Sequence, residues 1–190
     1  MKITGRRLIL TMLSLSVAFI AAAAESPPHA MTMSAVDQNS PLVEKVRKAT
    51  AQFKDINAAL AAGFAQATPC VSGPDFGAMG VHFVLGSRIT AGTLNATEPE
   101  ALIYEPQPNG AFRLVGVEFI ILQSVWQTQI PPGSTATPAL EGHLMNLVEF
   151  PNRYGLPAFY EMHVWAWEQN PVGSFADWNT HVSCDQQATS

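Results

Sequence analysis

The chain is 190 residues long, with ten basic and fifteen acidic side chains, a formal net charge of −5 and two cysteines. Three of the basic residues lie in the first 24 positions, so the remainder carries 7 − 15 = −8. An acidic chain with no basic cluster argues against nucleic acid and anionic membranes as partners and points to a small-molecule substrate or ligand.

Residues 1–24 read as a signal peptide: Lys2, Arg6 and Arg7 form a positive start, Leu8 to Ile20 an apolar stretch, and Ala21 to Ala24 a small-residue cleavage site. Export to the periplasm or beyond is the expectation, with no membrane contact after cleavage. No later segment is long and apolar enough to span a bilayer. Residues 25–40, rich in Ser, Pro, Met and Ala, read as a flexible leader. Residues 41–190 are expected to form one domain.

Ser40-Pro41 has the chemistry of a helix start. Leu42, Val46, Ala49, Phe53, Ile56, Leu60 and Phe64 then recur at steps of three and four, which predicts one helix ending near Gly63. From Thr68 to Gly80 the density of Pro and Gly predicts a loop containing Cys70. In an exported protein, Cys70 and Cys184 are expected to pair, tying this loop to the C-terminal tail.

The pattern then turns to strands. Ala101–Glu105 and Phe112–Leu122 flank Asn109-Gly110, a pair suited to a hairpin turn that needs two positive φ angles. Ser124–Ile130 is read as an extension of the sheet, residues 131–139 as loop, and Phe159–Glu168 as the last strand. These elements predict an α+β fold in which an N-terminal helix packs on a curved antiparallel sheet or small β-barrel.

Three polar groups interrupt the apolar runs: His82 in Met79–Leu85, Glu118 in Leu114–Leu122 and His163 in Phe159–Trp167. An ionised carboxylate is costly to bury without a partner. Alternation groups Glu118 with Phe112, Leu114, Gly116 and Ile120, and groups His163 with Glu161, Trp165 and Trp167. Two imidazoles and a carboxylate on separate strands suit a transition metal such as iron, copper, manganese or zinc. His143 is a candidate fourth ligand, and Glu161 a candidate catalytic or ligand-orienting group. Trp165 and Trp126 are candidate substrate contacts. No Gly-x-Ser-x-Gly elbow and no phosphate-binding loop is present.

At Gly77-Ala-Met-Gly-Val-His82, Leu114-Val-Gly-Val-Glu-Phe119 and His163-Val-Trp-Ala-Trp-Glu-x-Asn-Pro171, the chain resembles a group of exported bacterial proteins. The resemblance spans roughly residues 45–185 and implies a bacterial, exported, single-domain protein, with no activity carried over. Three readings follow. The first is a metal-dependent enzyme, with oxidoreductase chemistry on a small aromatic or sugar-like substrate ahead of hydrolysis. The second is a non-catalytic binding module of the periplasm. The third is a structural domain with a closed His/Glu network.

Overall fold

A computed structural model describes residues 39–187; the signal-peptide segment and nearly all of the leader lie outside them. Helix α1 (Pro41–Thr50) starts where Ser40 and Pro41 place it, with the Ser40 hydroxyl accepting from the Val43 N–H at 3.2 Å. The expected single helix is broken into three pieces. A 3-10 turn (Ala51–Lys54) follows α1, then Asp55 adopts extended backbone and caps a short helix α2 (Ile56–Ala61) by accepting from the Asn57 N–H. The break shifts the helical phase. Leu42, Val43, Val46 and Phe53 stay buried, whereas Leu60, assigned to the same apolar face by its spacing, is exposed.

The strands are β1 (Ala65–Gln66), β2 (Val71–Gly73), β3 (Gly77–Val84), β4 (Ala101–Pro106), β5 (Phe112–Leu122), β6 (Ala139–Leu140), β7 (His143–Leu144), β8 (Asn146–Val148) and β9 (Phe159–Val164). Among the described residues, seven strands form an open antiparallel sheet in the order β1-β3-β4-β5-β9-β8, with β2 also pairing β3. The sheet does not close into a barrel. A separate hairpin joins β6 to β7. Helix α3 (Gly86–Ala91) follows β3, and helix α4 (Gln123–Gln129) follows β5. Helix α4 replaces the strand expected over Ser124–Ile130. The hairpin between β4 and β5 turns at Asn109 and Gly110, both with positive φ, as their pairing requires.

One face of the sheet carries Val81, Phe83, Leu102, Tyr104, Leu114, Val117, Phe119, Met162 and Val164 and packs against α1 and its extension. The opposite face carries His82, Glu118 and His163 and is covered by loops. Helix face and polar face are thus separate layers.

A bulge corrects two of the expected groupings. Ile103 pairs Gly116 while Tyr104 pairs Leu114, so Val115 is an extra residue in β5. The insertion reverses the alternation. Leu114 and Phe112 therefore turn to the helix face, away from Glu118. Trp167 is displaced for a related reason. The chain leaves β9 after Val164, with the Trp167 and Glu168 N–H groups both donating to the Val115 carbonyl. The Trp167 ring then reaches the helix layer, donating to Thr50 and lying beneath the Lys54 ammonium.

The C-terminal segment is irregular and held by side chains. Cys70 and Cys184 form a disulfide across 114 positions. The Ser183 N–H donates to Glu105, which also accepts from Arg113.

Candidate metal centre

Register explains why the polar residues meet. On the loop-covered face, Glu118 in β5 pairs directly with His163 in β9, and Ile120 with Glu161. His82 in β3 stands opposite Ile103 in β4, which stands opposite Gly116 in β5. In a flat sheet three strand spacings of about 4.8 Å would separate β3 from β9 by about 14 Å. Yet His82 Nε2 and His163 Nε2 lie 3.5 Å apart. At Gly116 the backbone approaches the end of β9 closely. A β-carbon there would meet the Val164 carbonyl at 2.9 Å and the Trp165 ring at 3.2 Å.

His82 Nε2 is also 3.5 Å from Glu118 Oε2. One ligating atom each from His82, Glu118 and His163 lies within 4.8 Å of the others. For metal–ligand bonds of about 2.1 Å, the edge of a coordination tetrahedron is about 3.4 Å. The two 3.5 Å separations match that edge. His82, Glu118, Glu161 and His163 are 3%, 4%, 4% and 0% exposed.

Burial sets the protonation states. It lowers the His82 pKa to about 4, against a backbone hydrogen bond with Gly80 that raises it. Burial, followed by the neighbouring His82, lowers that of His163 to about 3. Both imidazoles are therefore neutral near pH 7, the form that ligates metals. The Glu118 carboxyl is raised well above its usual range by burial and then by Glu161, to which it is hydrogen-bonded. Burial also raises the Glu161 carboxyl, against its bond with Glu118, which lowers it.

Supporting contacts fix the rings. The Thr68 hydroxyl lies 3.3 Å from His82 Nδ1 and accepts from the His82 N–H at 3.1 Å. The Trp165 ring stacks on His163 at 5.9 Å between centroids, and its indole N–H donates to the Ala176 carbonyl. Such outer contacts orient ligands in metal sites. By contrast, Glu161 Oε2 and His163 Nδ1 are buried without a hydrogen-bond partner.

His82 and Glu118 open onto a cavity of about 450 Å³. Its walls are mostly apolar, from Val84, Ile89, Ile120, Leu156 and Phe159, with Arg153, Tyr154 and Thr68 adding polar atoms. The Tyr154 ring meets His82 edge-on at 6.5 Å, and burial raises its hydroxyl pKa.

The other sequence candidates lie elsewhere. His143, in the β6–β7 hairpin, stacks on Phe175 at 4.0 Å and is not in the cluster with His82. Trp165 is fully buried beneath His163, and Trp126, on α4, donates to the Ala136 carbonyl and packs with the helix-side core. Neither Trp lines the cavity. Glu161 is in place beside Glu118. Thr68, Tyr154 and Asp177 reach the site from irregular segments and carried no sequence signal.

Comparison of the chain with protein-family models, curated proteins and solved structures gives no match.

Proposed function

We propose that His82, Glu118 and His163 hold a first-row transition ion and that the protein is a metal-dependent enzyme acting on a small, largely apolar molecule. The observation that carries this reading is the convergence of two neutral, buried imidazoles and a carboxyl at metal-ligand spacing beside a cavity. Iron, copper, manganese and zinc all suit such a donor set, and the bound ion would supply Lewis-acid or redox chemistry, with oxidoreductase chemistry favoured. Glu118 ligates as the carboxylate, and Glu161, hydrogen-bonded to it, holds its orientation. The apolar walls would seat a ring or short aliphatic body and exclude water. They favour an aromatic substrate over a sugar, whose hydroxyls would find few partners there. Arg153 offers a charge for an anionic substituent.

The protein acts after export, in the periplasm or outside the cell. The basic and apolar start of the chain supports this, as does the Cys70–Cys184 disulfide, which persists in oxidising compartments. A second reading, a non-catalytic small-molecule-binding module, is favoured by the cavity's apolar lining alone.

Elemental analysis of protein purified from its own compartment, with His163→Ala in parallel, decides between them. Near-stoichiometric metal in the wild type and its loss in the variant is the expected result. A metal-free wild type that also fails to take up added iron, copper, manganese or zinc overturns the metal reading and leaves the binding module.

A further inference from the structure

His163 belongs to two groups of potential ligands. Besides His82 and Glu118, one ligating atom each from Glu161, His163 and Asp177 also lies within 4.8 Å of the others. His163 Nε2 lies 3.5 Å from His82 Nε2, which leaves Nδ1 as its second ring nitrogen. That nitrogen is buried without a hydrogen-bond partner, and so is Glu161 Oε2. Two orphaned polar atoms on adjacent inward positions of β9 are costly in a folded protein unless a ligand satisfies them.

Acidic groups gather at this point: Glu161 and Asp177 both act on Glu118 through their charge. Asp177 is only partly buried and is held by the Asn146 side-chain amide at 3.2 Å.

We infer that Glu161, Asp177 and Nδ1 of His163 form a second divalent-cation site, so that the His163 imidazole bridges two ions. Imidazole among the ligands selects zinc, copper or cobalt over magnesium or calcium. A bridging imidazole has given up its ring proton to solvent. The second ion therefore binds more weakly and more acid-sensitively than the first. The inference rests on the reading above in one respect: the first ion occupies Nε2.

Equilibrium dialysis of the mature, disulfide-intact protein against zinc at about pH 7.5, read by elemental analysis, tests it. The wild type is expected to hold about two ions per chain, and Asp177→Asn and Glu161→Gln about one each. His82→Ala is expected to lose the tighter ion. Copper(II) loaded into the wild type should show a spin-coupled pair that Asp177→Asn abolishes. Saturation of the wild type at a single ion, or two ions of unchanged affinity in both carboxylate variants, overturns the second site and leaves the first intact. Stoichiometry that falls in Asp177→Asn yet is untouched in His82→Ala would instead overturn the first site.

Discussion

Glu100 is a buried carboxyl outside the proposed ligand sets, and its energetics follow from the strand ends. Strand β4 begins at Ala101, opposite Glu118, so the Ile120 N–H lies past the last residue pair. The Glu100 carboxylate takes the place of the missing strand and accepts from that N–H at 3.0 Å. Burial raises the Glu100 pKa from 4.5 to about 7, more than the Ile120 hydrogen bond lowers it. Because the folded pKa lies above the unfolded one, the favourable contribution is complete below about pH 4.5 and disappears as pH rises through about 7. At 1.36 kcal/mol for each tenfold change, that step amounts to about 3 kcal/mol. Glu100→Gln keeps an acceptor for Ile120 and removes the titration, but its amide N–H groups must find partners, at a cost of about 1 kcal/mol. The variant should gain about 2 kcal/mol over wild type at about pH 9, or roughly 4–8 °C in melting temperature for a domain of this size. Below about pH 4.5 the gain should give way to a loss of about 1 kcal/mol, the amide cost alone. Urea denaturation at several pH values reads both. A Glu100→Gln difference that is the same at every pH would refute the shifted carboxyl.

Two further substitutions test the scaffold. Gly116→Val places a β-carbon 2.9 Å from the Val164 carbonyl and 3.2 Å from the Trp165 ring, so β9 must shift; it should cost about 1–3 kcal/mol in denaturant midpoint and weaken zinc affinity. Unchanged stability and affinity would show that the close approach is dispensable. Cys70→Ser opens a loop of 114 positions and should cost about 4–5 kcal/mol in the chain-entropy account, with metal stoichiometry retained once the protein is folded. Loss of metal at an unchanged melting temperature would contradict that purely structural role.

Which parts of this molecule were legible in the sequence depended on whether the signal was local. Alternation placed His82, Glu118 and His163 on inward positions because each lies in a regular stretch of strand. Asn109-Gly110 announced its turn, since few other pairs tolerate two positive φ angles. The failures share one cause. The Val115 bulge reverses the alternation through pairing with β4 and through the Val115 carbonyl, which receives the N–H groups of Trp167 and Glu168. Nothing near Val115 in sequence encodes those partners. Asp55 ends the helical phase by capping a new helix, a role that a continuous apolar repeat conceals. Helix α4 leaves β5 with Val125 and Trp126 among polar residues, a pattern short enough to read as strand. Tyr154 and Asp177 come from segments held by distant side chains, such as the Asn146 contact to Asp177, so only the assembled fold brings them to the histidines.

The protonation pattern bears on whether the cluster serves packing alone. A buried network that only stabilises the fold gains most from complete pairing, because every unpaired member carries its desolvation cost. The His82–Glu118 contact has the appearance of an ion pair, but burial keeps His82 neutral at pH 7 and raises the Glu118 carboxyl well above its usual range. Their 3.5 Å separation is at the limit of a hydrogen bond, and the His82–His163 separation is the same. The contacts of His82 with Glu118 and His163 are thus long, while His163 Nδ1 and Glu161 Oε2 have no partner. Elsewhere among the described residues, Glu100 is served by Ile120, Thr50 by Val46 and Trp167, and Tyr104 by Phe53, while Asn179 Nδ2 is a further buried atom without a partner. Two of the three buried atoms without a partner among the described residues thus belong to the groups whose ligating atoms converge. A cation at that point would give each converging atom a coordination bond, which favours a binding centre over a packing device.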